Sequence, residues 1–316
     1  MTARERLYTD FQDTGFGRPT FFRGDNDNDN LFLGIELETE SVGPLDDLLD
    51  AVLENNALHG AEFWKYKGDG SLTRGAECVT HPFTWGFYIE KMNVEPLFDK
   101  FADIASPWNS HGVNTAGLHV HMSREAFTPD HLARFIRFHY KNKKLCQRIA
   151  GRSNPIYAKF GEEAFAVAVG ARGRQEYNFF TGRFERSNVA NFDEDVFDFA
   201  AKPDVRPNDR YLAVNLCRKD TVELRYFRST NNLGRFYGII EWCFSLFDYT
   251  KNETLPTEEG YAAFLAANED QYPNALAMYR GDTTHLPEKK EQRKAQRAMA
   301  GDFRGVHCGD ELEYDD

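Results

Sequence analysis

The chain is poor in cysteine, and its cysteines form no pattern. Five occur in 316 residues: Cys78, Cys146, Cys217, Cys243 and Cys308. No Cys-x-x-Cys pair is present, and the odd count offers no disulfide framework. They read as reduced, intracellular thiols, which predicts a cytoplasmic protein. No uninterrupted apolar run approaches the ~18 residues of a membrane span. The first residues are charged and polar, unlike a secretory signal. Positive charge is in the minority, with 38 Lys and Arg against 50 Asp and Glu and a net charge of −12. That balance argues against broad nucleic-acid or membrane-surface binding but leaves room for a local basic site. Neither GxxxxGK[ST] nor GxGxxG occurs, so P-loop and Rossmann readings fall away.

What the chain does have is a recurring two-residue alternation. Gly34-Ile35-Glu36-Leu37-Glu38, Leu118-His119-Val120-His121-Met122 and Val222-Glu223-Leu224-Arg225-Tyr226 each set two ligand-capable residues two positions apart between apolar ones. Side chains alternate faces along a strand, so each polar pair shares a face and its apolar neighbours share the other. Three such strands predict a sheet with a polar, ligand-lined concavity.

The rest of the chain reads as follows. Residues 1–30 are a polar lead-in, with the run Asp25-Asn26-Asp27-Asn28-Asp29-Asn30. Strand one spans about 31–39, and Pro44 opens a helix carrying Leu48, Leu49 and Val52. A turn over 67–72 feeds a strand at about 75–81, ended by Pro82. A helix with Leu97, Phe98, Phe101 and Ile104 precedes the histidine strand. Thr128-Pro129 predicts an N-cap followed by Pro at the first helical position, with that helix running to Ile149 and stopping at Gly151. Residues 151–210 read as an irregular functional loop with short elements. Strands at about 211–216 and 221–227 predict a hairpin, followed by an apolar helix over 233–250. A basic helical segment at 287–299 and an acidic tail at 310–316 close the chain. We expect a catalytic domain over 31–280 and a separate segment over 281–316. The fold class is α+β, a curved, mostly antiparallel sheet backed by helices.

The chemistry follows from residue types. Glu36 and Glu38 repel unless a cation lies between them, and their oxygens suit Mg²⁺ or Mn²⁺. His119 and His121 offer a metal or phosphate site. Glu223 with Arg225 reads either as part of the same site or as a plain ion pair. Glu77 is a further candidate carboxylate. Gly68 and Gly70 flank Asp69 in a tight turn, where Asp69 and Ser71 would orient a substrate amine or hydroxyl or simply make the turn. Arg210, Asn215, Arg225 and Arg228 cluster around the last hairpin, and the planar guanidinium fork suits phosphate oxygens.

Taken in order, G-I-E-L-E-T-E (34–40), D-G-S-L-T-R-G-A-E-C-V-T-H-P (69–82), G-L-H-V-H-M-S (117–123) and R-Y-L-A-V-N-L…T-V-E-L-R-Y-F-R-S-T (210–230) resemble the putative amidoligases of bacteria, fungi and phages. These belong to the glutamine synthetase and glutamate–cysteine ligase superfamily of carboxylate–amine ligases. The resemblance implies a glutamine synthetase-like partial barrel with ATP and Mg²⁺ (or Mn²⁺) in its mouth. It implies a reaction in which a carboxylate is phosphorylated and an amine then displaces phosphate. Glu36, Glu38, Glu77, His119 and Glu223 would hold metal. His121, Arg210, Asn215, Arg225 and Arg228 would meet the nucleotide phosphates, and Asp69 and Ser71 the acceptor. Arg210, Arg225 and Glu77 are the expected catalytic residues; the irregular 151–210 region, with Arg152, Arg172, Arg174 and Arg183, reads either as a lid or as a solvated loop. The carboxylate and amine, whether small molecules, peptides or proteins, and the oligomeric state are not specified.

Three other readings stay open at this level. His119-x-His121-x-x-x-Glu125 fits the first motif of a cupin-like metal-dependent oxygenase. Asp25, Asp27, Asp29 and Glu36 occupy positions 1, 3, 5 and 12 of a calcium loop. A degenerate, non-catalytic binding or structural protein is the third.

Overall fold

A computed structural model describes residues 19–108, 116–152, 158–168, 175–178, 183–186, 192–202, 204 and 206–282. The expected segments at 287–299 and 310–316 lie outside them. The main sheet comprises β1 (Leu33–Ser41), β2 (Trp64–Gly68), β3 (Gly75–Thr80), β4 (Ala105–Ser106), β5 (Gly117–Ser123), β8 (Val214–Asn215) and β9 (Thr221–Arg228). Their order is β2-β3-β1-β5-β9-β8, with β4 also on β1. Every ladder in it is antiparallel. Its end strands do not pair with each other, so the sheet is unclosed.

The alternation sorts the two faces. Leu33, Ile35 and Leu37, Leu118, Val120 and Met122, and Val222, Leu224 and Tyr226 are all fully buried. They face helices. Tyr226 OH accepts from Trp242 Nε1 (3.0 Å) on α8 (Leu233–Asn252) and meets His139 Nε2 (3.1 Å) on α4 (Pro129–Lys141). The Trp64 ring meets that of Phe236 on α8 at 6.1 Å. The elements between are α1 (Leu45–Leu58), α2 (Trp85–Glu90) and α3 (Glu95–Ile104).

α8 is buried on nearly every side and carries an acid, Glu241, inside the protein. Its carboxylate accepts from Tyr88 OH (2.8 Å), Asn274 Nδ2 (2.5 Å), and the backbone N–H of Asn274 (2.7 Å) and Ala275 (3.0 Å). Those two N–H groups open α10 (Pro273–Arg280), so Glu241 caps that helix from a distance. Burial still raises its carboxyl to about 7, against these hydrogen bonds.

Thr128 caps α4, accepting from His131 N, with Pro129 first in the helix, as expected. The single helix expected to Ile149 is interrupted, however. It breaks at Asn142 (φ −103°, ψ 38°) before α5 (Lys143–Ala150). The Asn142 amide donates to Phe138 O (2.9 Å), the local side-chain bond by which asparagine competes with helix continuation. α5 does stop at Gly151, at φ +68°. Within 151–210 the described pieces are α6 (Glu162–Ala168), a hairpin of β6 (Gln175–Asn178) and β7 (Arg183–Arg186), and α7 (Phe192–Ala200). α7 is anchored to α4, with Arg137 Nε 2.8 Å from Asp193. Arg172 and Arg174 lie outside the described residues, as does the side chain of Arg183. The expected hairpin is present, but its first arm shrinks to β8. Absent from the sequence reading were β2, α2, α9 (Glu258–Ala267) and α10. No described helix is long and apolar enough to cross a membrane.

Candidate active site

Register assembles the polar face. Glu36 lies opposite His119, His121 opposite Glu223, Glu38 opposite Glu77, Glu77 opposite Lys67, and Glu223 opposite Asn215. Adjacent antiparallel strands bring such facing side chains into contact. Residues nearly two hundred positions apart therefore share one patch.

The Glu36 carboxylate bridges the two histidines, with Oε2 3.1 Å from His119 Nδ1 and Oε1 3.1 Å from His121 Nε2. Glu223 Oε1 lies 3.8 Å from His119 Nδ1 and 4.0 Å from His121 Nε2. Ligand atoms of Glu36, His121 and Glu223 fall within 4.8 Å of one another. Glu38 flanks the group, 3.9 Å from His119 Nε2, and its Oε2 accepts from Gly117 N (2.6 Å). A Cβ on Gly117 would sit 3.0 Å from His119 Nε2 and 3.3 Å from Glu38 Oε2, so this position stays small to admit both.

Two cations balance the carboxylates. Arg225 Nη1 pairs with Glu223 Oε1, and Lys67 Nζ lies 3.0 Å from Glu77 Oε2. Burial alone would raise the Glu36 carboxyl. Charge on His121 and hydrogen bonds from both histidines outweigh it and hold the group well below the usual range. Glu77 goes the other way. Burial, then the charge of Glu36, pushes it up to about 7 against the pull of Lys67. Its Oε1 is buried with no hydrogen-bond partner among the described residues. An orphaned carboxylate oxygen beside a compact Glu–His–Glu set is a donor arrangement that fits a hard divalent cation.

The expected residues divide into two groups. Glu36, Glu38, Glu77, His119, His121, Glu223, Arg225 and Asn215 come together. Asn215, expected to meet phosphate, instead donates Nδ2 to Glu223 Oε2 (2.5 Å) and accepts at Oδ1 from Cys217 N (2.9 Å). It orients Glu223. Arg210 is exposed, with its guanidinium over the Tyr211 ring (5.0 Å). Arg228 lies opposite Gly117 in register and over the Trp108 ring (5.5 Å). Asp69 and Ser71 sit on the β2–β3 turn, where Asp69 Oδ1 accepts from Ser71 N (2.7 Å). Among the described residues, no hydrogen bond or ion pair links these two to the carboxylates.

Three contributors went unseen in the sequence reading or were misplaced. Glu40 extends the Glu36–Glu38 alternation, but its buried carboxylate accepts from Thr73 N (2.9 Å) and Arg74 N (2.8 Å) and anchors the β2–β3 turn. The spacing signal was present; the role is structural. Lys67 was hidden because β2 was. Arg152 is not held out on a lid. Its Nε and Nη2 donate to the carbonyls of Tyr226 (3.1 Å) and Arg225 (3.0 Å) beside Glu38.

The geometry also bears on the other readings. Glu125, the third residue of the cupin-like spacing, is exposed on a 3₁₀ turn (Arg124–Ala126). It lines a different cavity, with Asp29, Trp85 and Asp248. Glu36, the last residue of the calcium-loop spacing, is in the middle of β1 beside the histidines, whereas Asp25 pairs with Lys91 (2.6 Å). Compared with known proteins, the chain matches no family model, and no curated protein matches it significantly.

Proposed function

We propose that this chain is an ATP- and Mg²⁺-dependent carboxylate–amine ligase that forms an amide or peptide-like bond. The observation that carries the reading is the convergence of Glu36, His121 and Glu223 within 4.8 Å, flanked by Glu38, Glu77, His119 and Arg225. In this reading the unclosed sheet is of the glutamine synthetase-like kind. A carboxylate oxygen of the substrate attacks the γ-phosphorus of ATP, and ADP leaves. The amine then attacks the acyl carbon, loses a proton, and phosphate leaves as the amide forms. Glu36, Glu38, Glu77, His119 and Glu223 would hold Mg²⁺ or Mn²⁺, which would offset phosphate charge. His121 and Arg225 face the transferring phosphoryl, with Arg210 and Arg228 at the margins. Asn215 keeps Glu223 aimed, and Asp69 and Ser71 lie on the side from which an acceptor would enter. A cytoplasmic setting suits the free thiols of Cys78, Cys146, Cys217 and Cys243.

The test is incubation with Mg²⁺ and ATP against pooled carboxylic acids, amino acids and amines, with products read by mass spectrometry. ADP, phosphate and a product that has lost one water are expected together. No consumption of ATP with any pool, with iron co-purifying in its place, would overturn the reading in favour of an HxH oxygenase.

A further inference from the structure

Beyond the carboxylate cluster, the same end of the sheet gathers three guanidinium groups against one adjoining described carboxylate, Glu38. Arg228 closes β9 opposite Gly117. A Cβ on Gly117 would sit 3.4 Å from Arg152 Nη2, so Arg152 adjoins that pair. The next residue back, Gly151, presses on a third guanidinium: a Cβ there would lie 2.7 Å from Arg235 Nη2. All three side chains are half-buried.

Their hydrogen bonds explain how they are held but not why they are charged. Arg152 is tied to the Tyr226 and Arg225 carbonyls. Arg235 Nη2 donates to the carbonyls of Ile149 (3.0 Å) and Ala150 (2.6 Å), closing the C-terminal end of α5. Carbonyls, even at a helix end, supply only partial negative charge and no counter-ion. Nε of both Arg228 and Arg235 is buried with no hydrogen-bond partner among the described residues. None of the three forms an ion pair within 4 Å with a described carboxylate. Burial, then the charge of Arg228, pulls Arg235 down to about 10. Burial also leads at Arg152, again to about 10, with Glu38 opposing and Arg225 and Arg228 adding to the shift. Three like charges, two of them with an orphaned donor, are a costly arrangement unless an anion joins them.

We infer that Arg152, Arg228 and Arg235 form a binding site for a phosphate-sized, multiply charged oxyanion. Guanidinium groups present paired N–H donors that match such oxygens, and the partial burial of these three would strengthen each bond. The site adjoins Glu38, so an anion held there would lie next to the carboxylate–imidazole cluster. In assigning the anion to a reactant of the ligase, the inference rests on the reading above. The anion site itself does not need that reading.

The test is titration of the full chain with inorganic phosphate, by calorimetry and ³¹P line broadening, without Mg²⁺ or ATP. Arg228→Gln is the principal variant, because Arg228 ties down no described backbone carbonyl. Arg228→Lys is the conservative control, and a circular-dichroism melt checks each fold. We expect saturable phosphate binding, weakened at least tenfold in Arg228→Gln and partly retained in Arg228→Lys. Competition then identifies the source of the anion. Displacement by Mg²⁺-free ATP assigns it to the nucleotide. Displacement by glutarate but not ATP assigns it to a second anionic group on the carboxylate substrate. No saturable binding, equal binding in Arg228→Gln, or equal displacement by chloride would overturn the inference. Phosphate binding without any ATP turnover would overturn the ligase reading alone.

Discussion

Replacing Arg225 with glutamine should tighten binding of a divalent cation and, on the ligase reading, lower turnover. Arg225 Nη1 pairs with Glu223 Oε1, the same oxygen that faces both histidines at 3.8 and 4.0 Å. A cation held by Glu36 and Glu223 among its ligands must share that oxygen with the guanidinium or displace it. Even at the dielectric constant of water, a unit charge about 5 Å from a divalent ion costs about 1.7 kcal/mol, and partial burial raises the figure. Removing the guanidinium therefore predicts a dissociation constant for Mn²⁺ at least about tenfold lower. Without metal, the variant leaves Glu223 buried at 4% side-chain exposure and without its nearest cation, so the protein should be destabilised by about 3 kcal/mol. Added cation should restore that loss. The assay is Mn²⁺ titration by electron paramagnetic resonance on wild type and Arg225→Gln, with thermal melts at rising Mg²⁺. Unchanged or weaker Mn²⁺ binding in a folded variant would refute the argument that metal and arginine compete for Glu223.

Other predictions follow from the same geometry. Glu36→Gln should lower ATP turnover on the order of a hundredfold or more with an unchanged circular-dichroism spectrum; full turnover would remove Glu36 from the site. Gly117→Ala should weaken Mn²⁺ binding about tenfold and cost about 1–2 kcal/mol in urea melts, because its Cβ meets His119 Nε2 at 3.0 Å. His139, fully buried, is pulled down to about 4 by burial, from 6.5 for a free imidazole. Its native form is neutral, so between those values the unfolded chain binds the extra proton. The contribution of His139 is intact above pH 6.5 and falls by about 3 kcal/mol as pH drops to 4. Urea melts across that range should lose about 3 kcal/mol more in wild type than in His139→Gln, because His81 and His131, also lowered to about 4 by burial, titrate alike in both.

The sequence carried the site's donors more clearly than their partners. A two-residue period is a local property, so Glu36 and Glu38, His119 and His121, and Glu223 and Arg225 could be placed on polar faces before any register was known. Which face meets which is a long-range fact. Asn215 looked like a phosphate ligand because nothing local shows that β8 sets it across from Glu223. Glu40 obeyed the same alternation as Glu36, yet the β2–β3 turn claims its carboxylate. β2 itself carries an alternation, with Trp64 buried and Lys65 and Lys67 on the other face, but its five residues and two lysines hid it beside the Gly68-Asp69-Gly70 turn signal. The break at Asn142 carries no proline or glycine; a single side-chain bond to Phe138 O accompanies it. The caps at Thr128 and Gly151 were legible because each depends on the residue itself: a hydroxyl acceptor in one case, a positive φ in the other.

The most direct test of the central claim follows a single oxygen atom. Substrate carboxylates labelled with ¹⁸O are supplied with ATP, Mg²⁺ and amines, and the released phosphate is weighed by mass spectrometry. Transfer of the carboxylate oxygen through an acyl phosphate predicts phosphate carrying one ¹⁸O for each amide formed. Amide formation with unlabelled phosphate, or no ATP-dependent product at all, would contradict the account.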